Sequence, residues 1–216
     1  MAQSVHAIVL AAGTSRRMGV AKQLLPFGTR TVLQTVVDFL LAANLDGITV
    51  VLGHQSLEVE RTLKGLPVAV QINANYHKGM FTSVLCGLHA LPETADGVLL
   101  VLGDQPQIRS EVVREVVAAY RRENKGIVIP TCQGRRGHPA LVDVRKYRAE
   151  IESLDGDKGL KPVMRGHPED TLELRLEDPA ILRDLDTPED YRSELERQGL
   201  RPERAAGPRR RGGSGR

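Results

Sequence analysis

Residues 6–28 read HAIVLAAGTSRRMGVAKQLLPFG, an apolar run followed by a loop that holds glycines and cations. The apolar run at residues 6–11 is typical of a buried strand in a parallel sheet. It leads into a loop bracketed by Gly13 and Gly19, which is too polar and too marked by glycine for a helix. Backbone N–H groups in such a loop can point at an anion without side-chain obstruction. The stretch therefore predicts a strand that ends in an anion-binding loop.

Three cations belong to the same loop: Arg16, Arg17 and Lys22. A guanidinium fork or an ammonium group can neutralise phosphate oxygens. The spacing excludes a P-loop, because Gly19 lies six positions after Gly13 and two residues separate it from Lys22. The G-x-G-x-x-G fingerprint of dinucleotide-binding folds is also absent. The loop predicts a nucleotide-handling enzyme of another kind, and the alternative is an ordinary surface loop between a strand and a helix.

The chain has 216 residues, of which 41% are hydrophobic, and this is enough for one α/β domain. Only 3% are aromatic and tryptophan is absent, so the core must consist of Val, Leu, Ile and Ala. Strands are predicted at residues 6–11, 47–52, 68–72, 97–102 and 127–131, and helices at 31–43, 57–64, 82–90 and 110–123. This alternation predicts a Rossmann-like, doubly wound and mainly parallel sheet with helices on both faces. Residues 140–143 and 172–176 predict further strands in a small mixed C-terminal extension.

Charge is unevenly distributed along the chain. Residues 201–216 hold six arginines and one glutamate, while the formal net charge of the whole chain is +3, so the remainder is close to neutral. Such a Gly/Pro/Arg/Ser composition cannot bury apolar surface. The sequence predicts a single domain at residues 1–198 and a disordered tail at 199–216. No aromatic residues are interleaved with the arginines, so no nucleic-acid partner is predicted.

Cysteine usage and hydropathy limit the compartment. Cys86 and Cys132 fit neither a disulfide framework nor a metal clip, so both are predicted to be reduced. No run reaches the roughly 18 consecutive apolar residues of a membrane span, and the N-terminus lacks the regions of a signal peptide. The prediction is a cytoplasmic location without a membrane partner.

Asp104 is the first candidate Mg²⁺ ligand. It follows the predicted strand at 97–102, in the sequence GDQP at 103–106, and ligands of open parallel sheets bind at the carboxyl ends of strands. Magnesium usually takes one or two carboxylates and completes its shell with water and phosphate oxygens. The alternative is an aspartate that only forms a turn before Pro106.

Asp186 is the second candidate ligand, in the run DLDTPEDY at 184–191. A structural explanation exists here as well, because Thr187 as N-cap, Pro188 at the first helical position and Asp190 two residues later predict a helix start. Residues 73–81, NANYHKGMF, either line a base or ribose pocket or form an ordinary connection. No residue has the orienting partner of a general base or nucleophile.

Together these motifs resemble the nucleotidyltransferase family with a Rossmann-like fold that includes molybdenum cofactor cytidylyltransferase. The resemblance runs from about residue 5 to residue 196, and the opening looks like the family signature LAAGxSxRMGxxKxLLP. Further matching segments are N-x(5)-GM-x(2)-S at 73–83, GDQP at 103–106, GHP at 137–139, GDKG at 156–159 and DLDTPEDY at 184–191. Two departures stand out: Phe81-Thr82 replaces the commoner small pair before Ser83, and Lys161 occupies a position where Arg is usual.

The resemblance implies roles for individual residues. The residues implied to bind the nucleotide are Ala11, Ala12, Gly13, Arg17, Lys22, Asn73, Ser83 and Asp104. Those implied in catalysis are Arg17, Lys22 and Asp104, and those implied to bind Mg²⁺ are Asp104 and Asp186. The second substrate is implied to contact Gly137, His138, Asp157 and Lys161. The Ala-Ala-Gly form at 11–13 resembles the cytidylyl branch, whereas the guanylyl branch usually has a Gly-Gly pair.

The implied activity is transfer of CMP from CTP to molybdenum-bearing molybdopterin with release of pyrophosphate, with Mg²⁺ as cofactor. A molybdoenzyme or its accessory protein is the implied protein partner. One alternative is a nucleotidyltransferase that uses another nucleoside triphosphate or a sugar or polyol phosphate acceptor. An NAD(P)-dependent oxidoreductase is disfavoured by the missing glycine fingerprint. A non-catalytic molybdopterin carrier is disfavoured because Asp104, Lys22 and Arg17 are all present.

Overall fold

A computed structural model describes residues 3–156 and 159–201. Its main sheet has the strand order β10-β7-β9-β6-β1-β4-β5, and β8 pairs with β7 outside this path. The strands are β1 (Val5–Ala11), β4 (Gly47–Leu52), β5 (Ala69–Ile72), β6 (Gly97–Leu102), β7 (Ile127–Cys132), β8 (Arg135–Arg136), β9 (Ala140–Asp143) and β10 (Thr171–Arg175), with β2 (Pro26–Phe27) and β3 (Arg30–Thr31) as a separate hairpin. The helices in the described residues are α1 (Val32–Ala42), α2 (Ser56–Leu63), α3 (Met80–His89), α4 (Ser110–Glu123), α5 (Val144–Ser153), α6 (Lys161–Gly166) and α7 (Pro188–Arg197).

The central strand β1 separates two cores, because its side chains alternate between the faces of the sheet. Ala7 and Val9 belong to the cluster under α1, α2 and α4, whereas Ile8 belongs to the cluster under α3 and α5. All three side chains are fully buried. A strand that is apolar on both faces therefore forms a sheet covered on both sides, and the predicted fold class is confirmed.

Close packing of α3 against β1 gives a stability prediction. A Cβ atom at Gly87 would lie 2.5 Å from Cγ2 of Ile8, inside the core. We expect Gly87→Ala to destabilise the fold by about 1–3 kcal/mol through overpacking, measured by urea unfolding. Gly166→Ala is the matched control, because a Cβ atom there meets nothing within 4 Å. Equal stability of Gly87→Ala and the wild type would contradict this packing.

The mixed character predicted for the C-terminal part comes from β9, which runs antiparallel between β6 and β7. The edge strand β10 pairs in parallel with β7, so both predicted extra strands belong to the main sheet, β9 inside it and β10 at its edge. The helices α5 and α6 were not predicted from periodicity. The predicted start of α7 is confirmed, since Thr187 and Asp190 form a capping box ahead of Pro188. The tail predicted at 199–216 falls outside the described residues from position 202 onward.

The register places the carboxyl ends of four parallel strands at one edge of the sheet. Ala11 of β1 pairs with Leu52 of β4, and Leu10 pairs with Leu102 of β6. The chain leaves β1 in one direction toward β4 and β5 and later returns on its other side as β6. Ligands of such sheets bind outside this kind of topological switch point.

Neither cysteine is in a disulfide: Cys86 is half-buried and Cys132 is buried, as free thiols. Among the described residues, no helix combines the length and the apolar character that a membrane crossing requires.

Candidate active site

The loop after β1 takes its shape from Ser15. This residue adopts a left-handed conformation with φ of 49°, and its carbonyl oxygen accepts hydrogen bonds from the N–H groups of Met18 (3.0 Å) and Gly19 (3.2 Å). Its hydroxyl accepts a third from the backbone N–H of Lys22 at 3.2 Å. Gly19 has a φ of 72°, which favours glycine. These bonds curl the loop back so that Lys22 follows it in a fixed position.

Gln23 holds the start of the loop by hydrogen bonds from its side chain. Its side chain is buried, and Nε2 donates to the carbonyl oxygen of Ala11 at 3.0 Å and to that of Gly13 at 3.4 Å. Ala11 and Ala12 are both buried. A Cβ atom at Gly13, by contrast, would meet nothing within 4 Å. The loop thus presents free space beside Gly13, next to the end of β1.

Four of the residues singled out in the sequence form one charged cluster, which we call the ion cluster: Arg17, Lys22, Asp104 and Asp186. Lys22 Nζ donates to Asp104 Oδ2 in a short contact and lies 3.4 Å from Asp186 Oδ1. Arg17 Nη2 lies 3.0 Å from Asp186 Oδ2. The side chains of Lys22 and Asp104 are only 15% and 14% exposed. The structure brings two cations and two carboxylates to the switch point of the sheet.

The donor chemistry of the cluster suits a hard divalent cation. Asp104 and Asp186 both direct a carboxylate oxygen at Lys22 Nζ, so a single positive centre already lies between them. Within residues 3–156 and 159–201, no group of three or more His, Cys, Asp or Glu side chains is arranged to hold a metal ion. A cation here would therefore use these two carboxylates together with water and phosphate oxygens, as Mg²⁺ commonly does.

A third carboxylate, Asp184, was not predicted. Its Oδ1 accepts a hydrogen bond of 2.8 Å from Nε2 of Gln105. Desolvation of its carboxyl group, and then the negative charge of Asp104, raise the pKa of Asp184 above its usual value. The only sequence signal was its place in the same DLDTPEDY run as Asp186.

Asn73 and Ser83 join the end of β5 to the first turn of α3. Asn73 Nδ2 donates to the hydroxyl oxygens of Thr82 (2.8 Å) and Ser83 (2.9 Å), and Oδ1 accepts from the N–H of Asn75 at 2.9 Å. Asn73 and Ser83 are both buried. The two predicted residues are therefore neighbours, and the Asn73 side chain orients the start of the helix.

Next to the switch point lies a cavity of 650 Å³. Three of the four residues predicted to contact a second substrate line it: Gly137, His138 and Lys161. The fourth, Asp157, lies outside the described residues. Most of the other described lining residues are apolar, and the cationic side chains among the described lining are Lys78, Arg136, Lys161 and Arg165. The cavity can therefore accept a partly apolar group that carries negative charge.

His138 lines this cavity, and its ring interacts electrostatically with Asp184 and Asp104. Burial lowers its pKa, against the opposing effects of Asp184 and Asp104, so the neutral ring is favoured at neutral pH. Its backbone N–H donates to the carbonyl oxygen of Ile181 at 3.0 Å. A Cβ atom at Gly137 would lie 2.4 Å from that same oxygen, so only glycine allows this approach.

Two curated relatives match this chain over most of its length. The chain is 28% identical over 195 residues to the molybdenum cofactor cytidylyltransferase of Escherichia coli (strain K12), covering 90% of this chain and 97% of that protein. It is 27% identical over 191 residues to the nicotine blue oxidoreductase of Paenarthrobacter nicotinovorans, covering 86% and 93%.

Among solved structures, Rv0371c of Mycobacterium tuberculosis H37Rv matches with a TM-score of 0.79 and 29% identity, covering 91% of this chain and 100% of that one. A structure of that protein in complex with manganese matches with a TM-score of 0.75 and 27% identity, covering 91% and 100%. The family model described as the MobA-like NTP transferase domain matches residues 7–172. The chain therefore belongs to the MobA-like NTP transferase family.

Proposed function

We propose that this chain is a Mg²⁺-dependent cytidylyltransferase that transfers CMP from CTP to molybdenum-bearing molybdopterin and releases pyrophosphate. The observation that carries the proposal is the ion cluster, in which Arg17, Lys22, Asp104 and Asp186 meet at the switch point of the sheet. The similarity to a molybdenum cofactor cytidylyltransferase over nearly the whole chain supports this substrate pair. The product would be the cytosine dinucleotide form of the cofactor.

The reaction needs alignment and charge neutralisation more than proton transfer. The second pKa of a phosphate monoester is around 6, so the acceptor is already anionic near neutral pH. Attack by its oxygen on the α-phosphorus of CTP breaks the bond to pyrophosphate, and no general base is required. Lys22 and Arg17 would offset negative charge on the phosphates, which is the main task of a phosphoryl-transfer site.

Asp104 and Asp186 are the residues that would hold Mg²⁺, because their oxygens converge on one point and hard oxygen ligands suit this ion. When bound, the ion neutralises charge on the α-phosphate and the leaving pyrophosphate. The manganese complex of Rv0371c supports a divalent cation in a protein of similar fold.

The remaining roles follow the geometry. Ala11, Ala12 and Gly13 would contact the nucleotide, since free space opens beside Gly13. Ser83 would contact the nucleotide as well, with the Asn73 amide holding its hydroxyl in place.

The acceptor would occupy the 650 Å³ cavity, where Gly137, His138 and Lys161 form part of the wall. Apolar surface suits a pterin ring, and cationic side chains suit its phosphate. Contact between Asp157 and the acceptor stays a prediction.

We also propose that residues 1–198 act as one nucleotidyltransferase domain in the cytoplasm. The reasons are the continuous sheet of the described residues and the extent of the matched family model. A molybdoenzyme or its accessory protein would receive the product.

Pyrophosphate release from CTP, GTP and ATP, measured in parallel with Mg²⁺ and with or without molybdenum-loaded molybdopterin, tests the proposal. We expect release only with CTP and the pterin together. Release with another triphosphate or another phosphate acceptor would reassign the substrates within the family. The similarity to nicotine blue oxidoreductase makes NAD(P)H oxidation the second assay, and activity there without pyrophosphate release would overturn the proposal.

A further inference from the structure

Residues 183–186 carry Asp186 to the ion cluster but belong to no helix or strand. The backbone N–H of Arg183 donates to the carbonyl oxygen of Ala180 at 3.2 Å, and side-chain contacts hold the rest of the stretch. Leu185 anchors the stretch on one side, because it is 1% exposed and packs with Phe27 and Leu195. On the side of Asp104, Gln105 and Gln107 both donate to the carbonyl oxygen of Arg183, and Gln105 also bonds the carboxylate of Asp184.

Gln105 bonds this stretch at two points. Nε2 donates to the carbonyl oxygen of Arg183 at 3.0 Å and to Oδ1 of Asp184 at 2.8 Å. A primary amide has two N–H donors, so both are used. Gln105 is 2% exposed. These bonds join two segments 79 positions apart, one of which carries Asp104 and the other Asp186.

Electrostatic repulsion opposes the contact between these two segments. Asp104, Asp184 and Asp186 bring three carboxylates together, and repulsion among them favours separation of the two segments. Lys22 and Arg17 offset the charges of Asp104 and Asp186. The Gln105 amide is the donor that holds Asp184, so it acts directly against that separation.

We infer that Gln105 is a positioning residue for the cation site, because its amide ties the segment of Asp186 to the loop of Asp104. The inference rests on the proposed function, since it takes these two aspartates as the holders of the divalent cation. Loss of a hydrogen-bond partner in the outer shell of a metal site typically lowers metal affinity about 10- to 100-fold. We expect Gln105 to change the metal affinity by a similar factor, although it is not a ligand itself.

Binding of Mn²⁺ to the full chain, measured through the electron paramagnetic resonance signal of the free ion, tests this without turnover. Asp184→Ala and Asp184→Asn form the informative pair, because both remove the same charge and only asparagine keeps an acceptor oxygen for Gln105. Asp184 is an exposed residue as a whole, although its carboxyl group is partly desolvated, so both variants are expected to fold. We expect Asp184→Ala to bind Mn²⁺ about 10-fold more weakly than Asp184→Asn. Equal affinities overturn the positioning role.

Gln105→Met removes both donors at similar volume. Gln107→Met is its matched control, because Gln107 is equally buried and donates to the carbonyl oxygens of Ala180 and Arg183 but to no carboxylate. We expect the larger loss of Mn²⁺ affinity in Gln105→Met at a similar loss of Tm. Wild-type affinity in both variants with a lowered Tm means a structural role only. A wild-type chain that binds no Mn²⁺, or an Asp104→Asn variant that binds it normally, removes the cation site and with it this part of the proposed function.

Discussion

Asparagine in place of Asp104 is expected to lower turnover with CTP about 10³-fold while the chain still folds. Asp104 supplies one of the two carboxylates of the ion cluster, and its side chain is largely shielded from water, where a charge acts most strongly. Asparagine has nearly the same shape, and Lys22 keeps Asp186 as a partner. The cost in stability should therefore be only about 1–3 kcal/mol. Pyrophosphate release and thermal unfolding measure the two effects.

Asp38→Asn is the control for this substitution. It also removes the charge of an ion-paired aspartate, since Arg30 Nε lies 3.0 Å from Asp38 Oδ2, but on α1 and away from the cluster. Turnover of this variant should match the wild type. Normal turnover in Asp104→Asn would exclude Asp104 from the mechanism.

Lys22→Ala is expected to lower turnover about 100-fold and to raise the KM for CTP. The ammonium of Lys22 bonds both Asp104 and Asp186, whereas Arg17 pairs with Asp186, so Lys22 is the cation that joins the two carboxylates of the ion cluster. Its loss leaves the two carboxylates without their shared cation. Mn²⁺ affinity should consequently be maintained or increased in Lys22→Ala, whereas Asp104→Asn should lose it.

The different effects of the two substitutions on Mn²⁺ affinity distinguish the role of Lys22 from that of Asp104. Lys64→Ala serves as control, because Lys64 is an exposed lysine that caps α2 outside the cluster. Kinetics with CTP that are unchanged by Lys22→Ala would show that the loop after β1 does not bind the triphosphate. A parallel loss of Mn²⁺ binding would show instead that Lys22 acts through the shape of the cation site.

The sequence predicted those parts of the molecule in which neighbours along the chain define the structure. The strand at 6–11 became β1, because an apolar run buried on both faces can only be internal. The start of α7 was equally clear, since a capping box needs only four consecutive residues. The glycines and cations of the loop likewise lie within one short stretch.

Contacts between segments far apart in the chain could not be predicted from local sequence patterns. The meeting of Asp186 with Lys22 was expected only through family resemblance, because spacing alone gives no distance between segments far apart in the chain. Gln105 and Asp184 stood out only as members of the GDQP and DLDTPEDY runs, and nothing in the sequence joined them, since an amide that bonds a distant carboxylate looks like any other polar residue. The place of β9 inside the sheet depends on pairing with β6 and β7, which periodicity does not encode.

The reversed direction of β9 brings a different kind of loop to the ligand edge of the sheet. Ala140, at the amino end of β9, pairs with Leu100 near the carboxyl end of β6. The connection at 133–139, which contains β8, therefore reaches that edge from the opposite chain direction. This connection is separate from the connections that carry Arg17, Lys22 and Asp104. Under the proposed function, exchange of residues 133–139 between relatives would change the acceptor preference and leave unchanged the half of the protein to which we assign the triphosphate.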